Sequence, residues 1–166
     1  MNRRTIKIFV ILIISLLVLL IVQFKPLLNY INNIIIYKET RINLYNKKTI
    51  FKATSPASFH GDGIDYYVFQ LEKADVDLIL SDKIKKSKWN RLPIDKDIYT
   101  VIDKQLTYDI ELTNLLKNTS YSPIPNVKNG YYLFLYKNYT KDYYFNFKLY
   151  ILDADNLLLY LIKYDS

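Results

Sequence analysis

The sequence predicts an α+β protein, with an N-terminal transmembrane helix followed by a small two-layer domain that contains an antiparallel sheet. Three observations lead to this prediction: an apolar segment opens the chain, an amphipathic helical pattern occupies its middle, and three β-rich runs close it. Because 166 residues leave room for only one domain after an anchor, we expect a single α+β domain over residues 45–166.

The predicted anchor covers residues 1–25, and its transmembrane part runs from Ile8 to Phe24. Every residue from Ile8 to Val22 is apolar except Ser15. A helix of about 17 residues is about 26 Å long, near the lower limit for crossing a bilayer. A cleaved signal peptide is the alternative, but no small residues that would suit cleavage precede Lys25. We therefore predict a retained signal-anchor and a single-pass membrane protein.

Basic residues around the anchor predict its orientation. Arg3, Arg4 and Lys7 precede the span, although three basic residues also follow it. A short basic N-terminus favours the cytoplasmic side. We expect a protein of the cell membrane whose N-terminus is cytoplasmic and whose domain is extracytoplasmic.

Residues 26–44 are predicted to form a juxtamembrane amphipathic segment. Pro26 suits the first turn of a helix. Apolar residues recur at helical spacing with asparagines between them: Leu27, Leu28, Ile31, Ile34 and Ile35. Such a helix either binds a partner or lies along lipid headgroups or its own domain, and we prefer the second interpretation.

The composition excludes several classes of site. The chain has a net charge of +7, but without the four basic residues that flank the anchor 19 basic residues stand against 16 acidic ones, so a nucleic-acid partner is not expected. Cysteine is absent and only one histidine is present, which excludes thiolate chemistry and Cys/His metal sites. We expect no cofactor and no metal, and as partners the lipid bilayer and a protein or cell-envelope ligand.

The first half of the domain gives mixed signals. A first strand is predicted between Tyr45 and Ala53, a second over Ile64 to Leu71, and an amphipathic helix around Ile79. Trp89 to Pro93 is predicted to be an anchored loop. The segment from Ile98 to Leu116 fits both a strand and a helix, and we favour a helix.

The C-terminal third predicts a three-stranded antiparallel meander. Its runs are Tyr131 to Tyr136, Tyr143 to Leu152 and Leu157 to Tyr164, separated by short polar turns. In the middle run one face is apolar and the other carries Asn146 and Lys148, which is typical of a half-buried strand. The apolar face consists of Phe145, Phe147, Leu149 and Ile151. We expect this sheet to pack against the helix around Ile79.

The segment Phe59 to Gly63 contains the only cluster of residues with catalytic character. His60 is followed by Asp62 and Asp65, and a carboxylate beside an imidazole can orient a general base. Ser55 or Ser58 would then be the nucleophile. A ligand contact by His60, Asp62 and Asp65 is a second interpretation. A structural turn is a third, and we prefer it because Asp-Gly is favoured in turns.

Three further patterns have weaker functional interpretations. Acidic pairs such as Asp153 and Asp155 lack the spacing of an EF-hand calcium loop. The basic run Lys83 to Arg91 suits a solvated helix end better than a lipid contact. Tyrosines on the C-terminal strands would suit a stacking platform for sugars or peptides, but tyrosine favours strands in any case.

Four short motifs carry a resemblance to other proteins. They are Phe59 to Gly63, the Trp-x-x-Leu-Pro of Trp89 to Pro93, the Asn-Gly-Tyr-Tyr of Asn129 to Tyr132, and the end at Tyr164 to Ser166. With them the chain resembles a loose group of small, uncharacterised proteins of low-GC Gram-positive bacteria. That group often carries Thr-His-Gly-Gly where Ser55 to Ser58 stands here, so a mechanism using two histidines is not expected. The resemblance implies no activity.

Three hypotheses for function follow. The leading one is a membrane-tethered, non-catalytic binding or interaction module. The second is a small membrane-anchored hydrolase that uses His60 and Asp62. The third is an immunity-type protein that neutralises a toxin at the membrane.

Overall fold

The computed structural model describes residues 9, 13–16, 30–55, 63–81, 88–140 and 143–165. The chain divides into two compact units, Met1–Tyr45 and Asn46–Ser166. In the first unit Phe9, residues 13–16 and residues 30–40 are helical. No helix of the described residues is both long and apolar enough to cross a membrane. Most of the span predicted from Ile8 to Phe24 lies outside the described residues, so the anchor stays a prediction.

The second unit is an α+β domain built on an antiparallel sheet, as the sequence predicts. Its strands are β1 Thr49–Thr54, β2 Gly63–Gln70, β3 Asn90–Arg91, β4 Gly130–Thr140, β5 Tyr143–Asp153 and β6 Leu158–Asp165. Its helices are α1 Lys73–Ser81, α2 Lys96–Tyr108 and α3 Ile110–Leu116. The six strands are arranged in the order β1-β2-β6-β5-β4-β3, and all neighbours are antiparallel.

The three C-terminal strands form a meander, in which β5 pairs with both β4 and β6. On its other side β6 pairs with β2 along the full length of both strands, from Gly63 opposite Asp165 to Gln70 opposite Leu158. The hairpin formed by β1 and β2 therefore extends the meander, and residues distant in sequence share one core.

The main core lies on one face of this sheet and is closed by α2 and α3. Ile102 and Leu106 of α2 and Leu112 of α3 are fully buried in it. The sheet contributes Ile64, Tyr66, Val68, Tyr132, Phe147, Leu149, Ile151, Tyr160 and Ile162. Ile79 of α1 is buried but does not belong to this cluster. The main core is therefore closed by α2 and α3, and the expectation that the sheet packs against the helix around Ile79 stays a prediction.

Two consecutive helices occupy the ambiguous segment from Ile98 to Leu116. Asp109 separates them with extended backbone angles, and its side chain accepts a hydrogen bond from the N–H of Leu112 at 2.8 Å. Aspartate is a preferred N-cap because its carboxylate accepts such a bond. The preference for helix is confirmed, although the strand-like alternation around Tyr108 and Ile110 reflects the break between two helices.

Strand β5 is buried on both faces over its second half. Leu149 and Ile151 face the main core, while Tyr150 and Leu152 on the opposite face are also fully buried. Trp89 contacts the ring of Tyr150, with centroids 6.5 Å apart. The predictions of a half-buried strand and of only two layers are thus too simple here, since an uninterrupted apolar run is typical of a strand covered on both sides.

Candidate functional site

Of the residues predicted to form a site, the structure describes Ser55 and Asp65. The buried hydroxyl of Ser55 accepts a hydrogen bond from the N–H of Ile64 at 2.8 Å, so it serves the pairing of β1 with β2. His60 and Asp62 lie outside the described residues. Asp65 lies in β2, partly buried, with Thr54 on one neighbouring strand and Lys163 on the other as direct cross-strand partners. Asp65 therefore has a place in the sheet that needs no ligand.

Lys163 is the centre of a charged cluster on β6. Its amino group forms an ion pair with Asp165, and Lys148 lies directly opposite it on β5. Burial lowers the pKa of Lys163, but the hydrogen bond to Asp165 and the negative charges of Asp165 and Asp65 outweigh this effect and raise the pKa. Asp65 and Asp165 thus offset two lysines that would otherwise repel each other across the strands.

The carboxylate of Asp153, a residue considered for calcium, is used by its own turn. Its Oδ1 accepts hydrogen bonds from the N–H groups of Asp155 and Asn156, at 3.1 and 3.0 Å. Its Oδ2 accepts one from the side-chain amide of Asn156 at 2.8 Å. Among the described residues no group of acidic or histidine side chains is placed to hold a metal ion. This turn is explained by backbone capping.

The most distinctive surface lies where β4 and β5 approach their connecting turn. Four aromatic residues cluster there, and we call them the aromatic edge: Phe134, Tyr136, Tyr139 and Tyr144. The ring of Tyr136 lies 5.3 Å from that of Tyr139 and 5.2 Å from that of Tyr144, between centroids. Tyr136 and Tyr139 are 47% and 63% exposed. The cluster therefore offers solvent a surface of ordered aromatic rings.

An interruption in β5 creates this cluster. Asn146 has a φ of 48°, which is left-handed and breaks the strict alternation of a strand. As a result Tyr144 and Phe147, which are three residues apart, both contact the ring of Phe134. Their ring centroids lie 4.9 and 5.5 Å from that of Phe134. Phe145, predicted to face the core, is instead 37% exposed. Asparagine tolerates left-handed backbone better than most residues, which explains why the break occurs there.

The side chain of Gln105 on α2 holds the interrupted strand in place. Its amide nitrogen donates to the carbonyl of Tyr144 at 3.0 Å, and its amide oxygen accepts from the N–H of Tyr144 at 2.9 Å. A neighbouring strand would make the same pair of bonds. Tyr164 of β6 pairs with Phe147 of β5, and β6 ends one residue later at Asp165, so β6 does not reach Tyr144. Gln105 therefore fixes the position of Tyr144 within the aromatic edge.

Carboxylates at the start of α2 act on one residue of the aromatic edge, Tyr144. Burial raises the pKa of Tyr144, and the neighbouring Tyr136 and Tyr139 and the carboxylates of Asp95 and Asp97 raise it further. The side chain of Asp95 caps α2 by accepting from the N–H of Asp97 at 3.0 Å.

A second surface lies within the first unit. A groove of about 280 Å³ is lined by Tyr30, Asn33, Ile34, Tyr37, Asn43 and Tyr45. Ile31 and Ile35 on the same helical segment are 43% and 40% exposed. The helix therefore exposes apolar side chains beside the groove that it lines.

Sequence reasoning considered a tyrosine platform but did not locate it. Tyr136, Tyr139 and Tyr144 are three and five residues apart and lie on two strands, so no strand periodicity connects them. An asparagine that interrupts an aromatic alternation, as Asn146 does in Phe145-Asn146-Phe147, is the one signal in the sequence that marks the place.

No protein family model, curated protein or solved structure matches this chain. The resemblance to small Gram-positive proteins stays a prediction. Function must therefore be inferred from the geometry of the chain itself.

Proposed function

We propose that this protein is a membrane-tethered, non-catalytic binding module whose ligand contacts the aromatic edge. The observation that carries the proposal is that the side chains of Tyr136 and Tyr139 are exposed while their rings pack against each other. Tyrosine is enriched at the centres of interfaces because it contributes a large contact area at low entropic cost. Two such rings together form an exposed aromatic surface suited to a partner.

Several features support the tether. The sequence predicts an anchor from Ile8 to Phe24, and residues 30–40 that follow it are helical. Tyr30, Ile31 and Tyr37 on this helix are 53%, 43% and 47% exposed, as expected of a segment that lies along lipid headgroups. An N-terminus in the cytoplasm would place the domain outside the cell.

Site-specific photocrosslinking in intact cells tests the binding surface. A photoreactive phenylalanine analogue replaces Tyr139 in the full chain. The same analogue replaces Ile50 as a control, because Ile50 is 38% exposed on β1, at the other edge of the sheet. We expect a discrete crosslinked product from position 139 only. Equal crosslinking at both positions, or none at 139, contradicts the proposed surface.

Protease treatment of intact protoplasts tests the tether and its orientation. We expect the domain to be digested while a short N-terminal fragment stays in the membrane fraction. Intact protein that is protected from protease would place the domain in the cytoplasm. Mature protein that begins after Phe24 would show that the anchor is cleaved.

The hydrolase hypothesis is tested by His60→Ala in the full chain. A variant that folds normally and keeps its crosslink at position 139 leaves the binding module intact. If instead a hydrolytic activity of the wild-type chain is lost with His60, the second hypothesis replaces the first. No described contact connects Asp65 to such a reaction.

A further inference from the structure

The hairpin formed by β4 and β5 extends beyond the part of β5 that pairs with β6. In the described residues, β6 reaches along β5 as far as Phe147. Strands β4 and β5 continue to pair with each other up to Thr140 opposite Tyr143. We call residues 137–140 and 143–146 the hairpin end. Since an isolated two-stranded hairpin is only marginally stable in water, the hairpin end depends on contacts with the rest of the domain.

An irregular step joins the hairpin end to the rest of the sheet. The register passes from Tyr136 opposite Phe147 to Asn138 opposite Phe145. Asn146 lies between these pairs on β5, and its φ of 48° is left-handed. Because left-handed backbone interrupts the regular ladder at this step, the hairpin end can open locally while the sheet behind it stays formed.

The side-chain amide of Gln105 takes the place of a third strand beside the hairpin end. It bonds to both the N–H and the C=O of Tyr144, at 2.9 and 3.0 Å. In an antiparallel ladder these two groups of one residue point to the same side. They therefore point away from β4, and Tyr144 and its cross-strand partner Tyr139 form a pair without mutual hydrogen bonds. Side chains come closest in such pairs, and here the ring centroids are 5.9 Å apart.

The main core fixes the helix that carries Gln105. The next residue on α2, Leu106, is fully buried in the main core. The start of α2 is held beside β4, because the N–H of Asp95 donates a hydrogen bond to the hydroxyl of Tyr132 at 3.2 Å. The two hydrogen bonds of Gln105 therefore tie the hairpin end to a helix that the core holds in place.

A second side-chain contact connects the hairpin end with β6. The hydroxyls of Tyr143 and Tyr164 lie 2.8 Å apart and form a hydrogen bond. This bond joins two side chains and leaves the backbone groups of Tyr144 to Gln105. The position of Tyr144 therefore depends more directly on Gln105 than on the tyrosine pair.

We infer that Gln105 is the positioning residue of the aromatic edge, and that its contact with Tyr144 controls how strongly a ligand binds there. This inference rests on the proposed function, because it assigns the control of binding at the same surface. Tyr144 contacts the rings of Tyr136 and Tyr139, so the arrangement of the exposed rings depends on the place of Tyr144. A ligand loses less entropy on a surface that is already ordered. Affinity is therefore highest while Gln105 holds the hairpin end.

Hydrogen exchange of backbone amides, measured by NMR on the full chain in detergent micelles, tests the positioning. Gln105→Met keeps an unbranched side chain with good helix propensity but makes neither hydrogen bond. We expect the protection factor of the Tyr144 amide to fall about ten-fold, because its acceptor is lost. The amide of Leu149, in the buried part of β5, should keep its protection and so show that the variant is folded. Lys104→Ala at the neighbouring exposed position of α2 is the control and should change neither amide.

Gln105→Glu separates hydrogen bonding from packing, because it makes the contact depend on pH. The protonated carboxyl can accept from the N–H of Tyr144 and donate to its C=O, whereas the ionised carboxylate can only accept and is repelled by the C=O. The ordinary pKa of a glutamate carboxyl is about 4.3. Relative to the wild type at the same pH, the Tyr144 amide should be about three-fold better protected at about pH 4 than at about pH 7. The wild-type reference is needed because Asp95 and Asp97 also act on Tyr144.

The photocrosslinking assay connects Gln105 with binding. With the photoreactive analogue at position 139 in intact cells, Gln105→Met should lower the yield of crosslinked product per molecule of chain at least about three-fold. Lys104→Ala should leave the yield unchanged.

The outcomes separate this inference from the proposed function. If Gln105→Met leaves the protection of Tyr144 unchanged, or lowers that of Leu149 equally, Gln105 does not position the aromatic edge. If the protection of Tyr144 falls but the crosslink at position 139 keeps its yield, Gln105 does not control binding, and the inference is wrong while the proposed function stands. A wild-type chain that gives no crosslink at position 139 contradicts the proposed function, and the inference about affinity then fails with it.

Discussion

The two sides of the sheet differ in how their edges are protected: one side ends in β1, and the other ends in the two-residue β3 beside β4. Strand β1 is short, carries a bulge between Thr49 and Phe51, and exposes Lys52, whose amino group lies 5.3 Å from the centroid of the Tyr67 ring. The ring of Phe51 on β1 packs against the ring of Tyr121, with centroids 4.4 Å apart. Strand β4 is 11 residues long and exposes Tyr136 and Tyr139.

This difference concerns protection against unwanted strand pairing. Short strands, bulges and exposed lysines are the usual means by which proteins prevent unwanted strand pairing. On β1 all three occur together, whereas β4 combines exposed rings with Lys137 as its one charged residue. We therefore interpret β1 as a closed edge, whereas beyond Tyr132 no described residue pairs with the outer side of β4.

The largest effect is expected at the base of β4. A Cβ added to Gly130 would lie 1.9 Å from the carbonyl oxygen of Leu152, and a backbone atom cannot easily move. Gly130→Ala should lower the free energy of unfolding by about 3 kcal/mol, the upper part of the usual range for overpacking. Urea denaturation measures it. Thr54→Ala at the end of β1 is the control. If both variants lower the free energy of unfolding equally, the close packing of Gly130 against Leu152 does not make β4 more sensitive to substitution than β1.

A smaller effect is expected where β5 breaks its alternation. Asn146→Ala places a residue with poor tolerance at a φ of 48° and should cost about 1 to 2 kcal/mol of stability. Asn146→Gly removes the same side chain but accepts this backbone angle, so it should be clearly more stable than the alanine variant. Thermal unfolding of both variants measures the difference. Equal stabilities would mean that the left-handed backbone does not hold the aromatic edge.

On the β1 side, Tyr66 should control the alkaline stability of the domain. Its hydroxyl donates to the carbonyl of Ser122 at 3.1 Å, so Tyr66→Phe should cost about 1 kcal/mol at neutral pH. Burial raises the pKa of Tyr66, and neighbouring Tyr160 and Tyr121 raise it further. Since an unfolded tyrosine titrates near pH 10, this stabilisation is complete below about pH 10 and is lost as the pH rises above it.

The pH dependence of unfolding distinguishes Tyr66 from the tyrosines of the aromatic edge. Between about pH 10 and pH 11.5 the wild-type chain should lose stability more steeply than Tyr66→Phe. Tyr144→Phe should reduce the pH dependence of the free energy of unfolding less than Tyr66→Phe does, because Tyr144 is only partly buried. Parallel curves for the wild type and Tyr66→Phe would contradict the assignment.

The smallest effect on stability is expected from Lys52→Ala on β1. This change removes an exposed cation from the ring of Tyr67 and should cost at most about 0.5 kcal/mol. It should nevertheless increase self-association, because one protection of the β1 edge is lost. Sedimentation velocity in detergent measures this, with the exposed Lys104→Ala on α2 as the control. Unchanged association would show that the bulge alone closes β1.

The alternation of apolar and polar residues made the C-terminal strands predictable. The break between α2 and α3 is explained by the capping carboxylate of Asp109. Runs such as Tyr143 to Leu152 are too apolar and β-branched or aromatic to form anything but strands, and polar turns mark their ends. The break at Asp109 could be located only when its carboxylate was seen to cap α3. Periodicity alone does not distinguish one helix from two that share a capping residue.

The sequence by itself determined the α+β class and the antiparallel meander, because alternation is a local signal, and its lack of cysteine excluded thiolate chemistry. Tertiary structure decided the insertion of β2 beside β6, the choice of α2 and α3 to close the core, and the aromatic edge. Each of these depends on contacts between residues far apart along the chain. Tyr136 and Tyr144 become neighbours only because two strands pair and Asn146 turns one of them, and no local pattern encodes such a meeting.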